Sequence, residues 1–296
     1  MSELQPVQPF GFWSRLLTSD TKSWLLLLPT MLLLLLVFVG PFLILLVYSV
    51  FGYVPGGGVS HTLTHENYQR FLTDPFSWSI LFRSLRLALI VTAICVVFGL
   101  PVAYTIARTK GNVARALLYA MLLVPLMASV VVRSYGWIIL LGSSGVINYV
   151  LTAFGFSPSS LLYTMHGTTI ALSAVLLPFM IIILVPVMQS IDENLELAAQ
   201  SLGATSIRTF FGIVFPMAKM GLIAGSVIVF VLAIGSFATP ILVGGTMQLV
   251  MPGYIYQQAL GQVMNWPFGS AIAIILLVVV FLLIALQALV FRRVRR

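Results

Sequence analysis

Long apolar blocks, each broken off by glycine, proline or a polar cluster, recur six times along the chain, at about residues 24–50, 84–106, 116–141, 167–190, 217–242 and 267–291. A helix crossing a bilayer core needs about 20 apolar residues. The pattern therefore predicts six transmembrane helices and an all-α, polytopic membrane protein. Prolines fall inside these blocks, at Pro29, Pro41, Pro101, Pro125, Pro178, Pro186 and Pro240. Each frees backbone groups that need a neighbouring helix or a wet cavity, which fits a packed bundle better than isolated lipid-facing helices. Between the first two blocks lies a polar external segment, GYVPGGGVSHTLTHENYQRFLTDPFSWS (52–79), with a glycine-rich turn at Gly56–Gly58. In ILFRSLRLALI (80–90), Arg83 and Arg86 stand three apart among apolar neighbours, which predicts a short amphipathic entry into the second span.

Composition agrees: 60% of the 296 residues are hydrophobic and only 7% charged. The net charge of +8 does not indicate nucleic acid, because no solvated segment clusters the Lys and Arg residues into a basic face. It sets topology instead. With a cytoplasmic N-terminus, that side receives Arg15, Lys22, Arg108, Lys110, Arg115, Arg208, Lys219, Arg292, Arg293, Arg295 and Arg296, eleven of the fifteen basic residues, and the positive-inside rule favours this orientation. Trp24, Trp78, Trp137 and Trp266 lie near span ends, as interfacial aromatics do. The first block is longer than a signal-peptide core and lacks a clear small-residue cleavage site, so it reads as a retained helix. The single cysteine, Cys95, sits in an apolar run and offers neither a disulfide framework nor a metal site. The expected organisation is an N-terminal tail (1–23), a six-span domain (24–291) containing a polar loop at 191–216, and a basic C-terminal tail (292–296).

Little in the chain suggests catalysis. GxxxxGK[ST] and HExxH are both absent, so neither a P-loop nor a zincin site is present. Gly142-Ser143-Ser144-Gly145 matches the GxSG pattern of intramembrane serine proteases, with His166 22 residues beyond Ser144, but four residues are a weak signal and a Gly/Ser turn in an external loop is the favoured reading. Ion-coupled carriers usually bury Asp, Glu or His in the membrane. Here Glu3 and Asp20 lie in the tail, Glu66 and Asp74 in the external segment, and Asp192, Glu193 and Glu196 in the polar loop. That weakens the secondary-transporter alternative without removing it. Arg133, in VVVRSYGW, is the one strongly charged residue well inside an apolar run; snorkelling to the interface beside Tyr135 and Trp137 is the favoured reading, and a contact with a pathway or a partner is the other.

The loop DENLELAAQSLGATSIRTFFGIVFP (192–216) gathers three of the seven acidic residues within five positions. Asp192 and Glu193 suit a helix N-terminus. Leu195, Ala198, Ala199 and Leu202 make a narrow apolar face at helical spacing, Gly203 can end that helix in a left-handed conformation, and Thr205 or Ser206 can cap a second helix that leads through Phe210, Phe211 and Val214 to Pro216. Such a projection suits docking to a soluble partner, although a mere interfacial connector would carry the same pattern.

The loop resembles the EAA motif of permeases from binding-protein-dependent ABC importers. Ala198-Ala199 is followed by Gln200, Ser201, Leu202 and Gly203, then by nine residues, then by Ile213 to Pro216. The usual glutamate position holds Leu197, with Glu196 one residue earlier, and Phe215 stands in place of a leucine before Pro216. TLTHENYQRFLTDP, RSLRLALIVTAICVVFGLPVAYTIAR, VPLMASVVVRSYGW and NWPFGSA look like the polyamine-type branch, which includes spermidine and putrescine importers; permeases for opines, aminophosphonates or iron are similar. The resemblance implies a MetI-like permease fold whose cytoplasmic coupling helix docks on an ATPase through Glu196, Ala198, Ala199, Gly203, Ala204 and Pro216. It also implies a bacterial inner-membrane location with both termini cytoplasmic, a second permease subunit forming a heterodimer with this one, a solute-binding protein, and no cofactor in this chain, ATP and Mg being bound by the ATPase.

Overall fold

A computed structural model describes residues 20–294 other than 57, 156, 158–160 and 262, with side chains from 27 to 287. Most of the predicted tail 1–23, and Arg295 and Arg296 of the basic C-terminal tail, lie outside the described residues. The helices are α1 (Asp20–Ser49), α2 (Glu66–Thr73), α3 (Pro75–Arg108), α4 (Asn112–Met127), α5 (Val130–Leu141), α6 (Val146–Ala153), α7 (Met165–Gln189), α8 (Glu193–Ser201), α9 (Ser206–Ile234), α10 (Met251–Ala259) and α11 (Trp266–Val294). An antiparallel hairpin, β1 (Phe51–Val54) with β2 (Gly58–Leu63), turns at the predicted glycine run.

The core lies where α3, α7 and α9 meet. Leu87, Ala88, Val91, Cys95 and Ala103 of α3 pack against Leu172, Met180 and Leu184 of α7 and Ala218 and Val229 of α9. Close approach of these helices depends on absent side chains: a Cβ at Gly221 would stand 2.6 Å from Val187, and one at Gly225 2.7 Å from the Met180 sulfur. A second cluster, Phe71, Ile80, Met251, Tyr254, Phe268 and Ile272, joins α2, α3, α10 and α11 at the hairpin end of the bundle. There the Asn67 amide donates to the carbonyls of Ser49 (3.0 Å) and Phe51 (2.8 Å), and Tyr53 donates to the Val263 carbonyl (2.9 Å). α1 packs along α11 with its leucine face otherwise exposed, as a helix bordering lipid would be.

Three expectations need correcting. The second span begins at Pro75 instead of about residue 84. The Asp74 carboxylate accepts bonds from the Phe76 and Ser77 amides (3.1 and 3.0 Å), Pro75 takes the first turn, and the ILFRSLRLALI segment is the interior of one 34-residue helix. The Ser77 hydroxyl, donating at 2.7 Å, holds the Asp74 carboxyl below its ordinary range. The third span, 116–141, is two helices: Pro125 and the capping Ser129, whose hydroxyl accepts from Val131 N, separate α4 from α5. The fifth span does not start near Pro216. Helix α9 runs from Ser206 through a π turn at Phe210–Val214, where Phe215 N–H bonds the Phe210 carbonyl five residues back. One extra residue in that turn accommodates the N–H that Pro216 lacks.

Candidate coupling site

At the end of the bundle opposite the hairpin, α8 projects between α7 and α9. The Asp192 carboxylate caps it through Asn194 N at 3.0 Å. Its far end closes as a Schellman turn: Gly203 N bonds the Gln200 carbonyl (2.9 Å), Ala204 N bonds the Ala199 carbonyl (3.0 Å), and Gly203 takes φ +89°. Thr205 then caps α9 through Arg208 N. Caps and turn therefore fall at the residues whose chemistry predicts them.

Of the predicted coupling residues, Ala198, Gly203 and Pro216 are exposed and Ala199 and Ala204 half-buried. Leu195 and Leu197 are exposed beside them, Leu202 is 90% exposed, and Ile207 on the next helix 73%. This apolar tip is uncovered by the other described residues. Glu196 behaves differently: it is 6% exposed and turns inward. Its carboxylate accepts from the Tyr104 hydroxyl (2.6 Å) and from Arg108 Nε (2.8 Å) and Nη2, both at the last turn of α3. Arg108 reaches further, donating from Nη1 to the Met188 carbonyl and from Nη2 to the Ile191 carbonyl, each at 3.1 Å. These carbonyls lie at the C-terminal end of α7, where a cation is favoured, and that of Met188 also accepts from Ile191 N (3.3 Å). One guanidinium thus ties α3, α7 and α8 together, using the fork geometry peculiar to arginine. Tyr104 also meets Phe210 of the π turn edge-on, ring centroids 5.2 Å apart, so α9 joins the same cluster. An outer pair, Lys110 with Glu193 at 3.2 Å, is exposed and adds little.

Beside this junction is an open polar cleft of about 620 Å³, lined by Arg108, Arg115, Gln189, Asp192 and Glu193 among others. Arg108 and Tyr104 are the functional residues that sequence reasoning missed; their spacing of four on one helix face, at the end of an apolar span, was the available signal. Arg133 is not brought to this site. It lies on α5 with Nη1 donating to the Val175 carbonyl of α7 (3.3 Å) and Nε buried with no acceptor among the described residues, so it points into the bundle and does not snorkel outward as the favoured reading had it. Ser144 and His166 share no hydrogen bond among the described residues; the Gly142–Gly145 turn closes on itself through Gly145 N to the Gly142 carbonyl (2.9 Å).

Five helices long and apolar enough to span a bilayer (α1, α3, α7, α9 and α11) and a sixth apolar span made by α5 and α6 together (Val130–Ala153), with a capped helix projecting from one end, define a transmembrane subunit built to engage something outside the membrane. Residues 95–296 match the family described as binding-protein-dependent transport system inner membrane component. The chain is 36% identical over 228 residues to the spermidine/putrescine transport system permease protein PotB of Escherichia coli (strain K12), covering 76% of this chain and 82% of that one. It is 34% identical to the PotB protein of Haemophilus influenzae, over 75% and 77% of the two chains, and 30% identical to the inner membrane ABC transporter permease protein YdcU of E. coli, over 73% and 72%. Among solved structures, a chain of the bacterial alginate ABC transporter in complex with alginate pentasaccharide-bound periplasmic protein superposes with a TM-score of 0.77 at 19% identity, covering 96% of this chain and 98% of that one. A chain of the MetNI methionine ABC transporter in an inward-facing conformation gives 0.57 at 19% identity, over 76% and 100%. The protein belongs to the binding-protein-dependent transport family. It is the permease subunit of an ABC importer, a multi-pass inner-membrane protein and a transport subunit, not an enzyme.

Proposed function

We propose that this permease passes a polyamine, spermidine or putrescine, received from a solute-binding protein, and that its tip at 195–207 is the surface through which a cytoplasmic ATPase drives it. The substrate reading rests on the 36% identity to PotB across three quarters of the chain. The coupling reading rests on one observation: an apolar tip exposed on a helix that is itself braced at Glu196 to two spans. The ATPase binds ATP and Mg, and this chain needs no cofactor. A second permease completes the pore, and the excess of basic residues on the coupling-loop side supports cytoplasmic termini.

Motion follows from the brace. Pressure on α8 cannot deform it independently, because the Arg108 fork joins it to the ends of α3 and α7; closure of the ATPases therefore moves those ends as one body. The direction of the shift depends only on how much better ATP-bound ATPases fit one state than the other. The test is uptake into proteoliposomes holding the whole importer. ATP-dependent accumulation of spermidine or putrescine is expected; accumulation of an anion or a sugar with neither amine taken up would overturn the substrate, and uptake driven by an ion gradient without ATPase would overturn the coupling.

A further inference from the structure

Arg133 is left over from the coupling site. Its place in the bilayer follows from the register of α4 and α5 on α7. Tyr119 meets Gln189 at 3.4 Å, and Arg133 meets Val175 at 3.3 Å, fourteen residues on along one strand of the pair (133 − 119) and fourteen back along the other (189 − 175). The helices therefore run antiparallel through the membrane, and the α4–α5 break at Ala128–Ser129 lies opposite the middle of α7. Val175 is ten residues inside the Met165 end, a depth of about 15 Å at 1.5 Å per residue.

Two features at this depth are incompatible with lipid. Irregular backbone within the hydrocarbon region is tolerated only against protein or water, yet Met127 at the break is 89% exposed and Ser129 and Val130 are exposed with it. One turn further, Arg133 has five N–H groups; among the described residues one of them reaches an acceptor, and Nε is buried with none. A charge so placed is met by an opposite charge, by backbone carbonyls or by water in a cavity, and the single Val175 carbonyl leaves most of the guanidinium unmet among the described residues. Every acidic residue among the described residues, at positions 20, 66, 74, 192, 193 and 196, lies outside the spans, and by sequence Glu3 belongs to the N-terminal tail. A second copy of this chain would bring no acid either. Headgroup phosphates lie farther away than an arginine side chain reaches, and a polyamine carries the same sign as Arg133.

We infer that Arg133 and the exposed α4–α5 break form the contact with a second, different permease subunit, which supplies an Asp or Glu carboxylate to the guanidinium at mid-membrane depth. This rests on the importer assembly proposed above.

The test uses the complete importer purified from membranes. A photo-crosslinking benzoyl-phenylalanine replaces exposed Val132, beside the intact arginine, and the cross-linked peptide is mapped by mass spectrometry. A cross-link to the second permease within two turns of an Asp or Glu is expected, as is an at least tenfold fall in recovery of that subunit with Arg133→Met. Reversing both charges, Arg133→Glu with that acid changed to Arg, restores recovery, and this swap decides the matter even where Arg133→Met fails to fold. Recovery of the second permease unchanged in Arg133→Met, with cross-links only to lipid or to this chain, overturns the inference while a co-purifying ATPase leaves the importer assembly standing. Loss of transport with full subunit recovery also overturns it, placing Arg133 on the pathway. An ATPase absent even from wild type removes both.

Discussion

Replacing Arg108 with methionine keeps the length of the side chain and removes the charge that holds α8. The Glu196 carboxylate, with its side chain 8% exposed, keeps the Tyr104 hydroxyl alone, and the Met188 and Ile191 carbonyls lose the guanidinium, Met188 keeping its bond from Ile191 N. Breaking a buried pair by removing one partner costs about 3–5 kcal/mol. Because Arg108 is 15% exposed at the edge of the bundle, the lower end of that range applies. Read as local opening of α8, about 3 kcal/mol is a roughly hundredfold rise in amide exchange. The assay is hydrogen exchange of the assembled importer, following residues 193–201 against α7 as an internal reference. The double variant Arg108→Met, Glu196→Leu should exchange more slowly than Arg108→Met alone, since an apolar pair leaves no stranded charge. Exchange of α8 within threefold of wild type in Arg108→Met would refute the brace, and with it the claim that α8 moves rigidly with α3 and α7.

Other consequences can be checked separately. Gly203→Val forces a β-branched residue to φ +89°, at a cost of about 1–3 kcal/mol, and should uncouple ATP hydrolysis from transport while membrane insertion is unchanged; normal coupling would exclude the turn from the mechanism. Gly221→Ile drives a side chain into Val187 and should lower stability by about 1–3 kcal/mol or more, read as a reduced melting temperature in detergent. Asp74→Ala removes the cap of α3 at a cost of about 1 kcal/mol. Because the folded-state pKa of Asp74 is lowered, its contribution is present above the ordinary carboxylate pKa and fades as pH falls through the folded value, so wild type and variant should converge in amide protection at 76–78 under acid conditions.

What the sequence made legible was local. Six spans follow from apolar length, and Asp192, Gly203 and Thr205 announce the ends of the coupling helices because capping is decided by residues within three or four positions of each end. The hairpin at 51–63 was readable only as a glycine-rich segment, since its pairing with α2 and α11 comes from tertiary contacts such as Asn67 to Phe51. Glu196 could not be turned inward from sequence: its partner Arg108 is 88 residues away, and an acid one place from the family position looks equally like a surface charge. The break in the third span had a signal, Pro125 followed by the capping Ser129, but hydropathy runs smoothly through it. Arg133 was misplaced for a related reason. Snorkelling is the cheapest solution for an arginine on a lone helix, and only the packing of α5 on α7 shows that the side chain points across the bundle.

The most direct test of the central claim, that the exposed tip of α8 is where an ATPase takes hold, is affinity purification of this chain from its native membrane as wild type and as Ala198→Trp, Ala199→Trp, with mass spectrometry of the proteins that accompany it. Ala198 is exposed and Ala199 half-buried, so the bulk should be carried on the tip without unfolding the spans. An ATPase present with wild type and lost from the double variant, the second permease remaining with both, is the predicted result. An ATPase retained at wild-type level by the double variant would contradict the account.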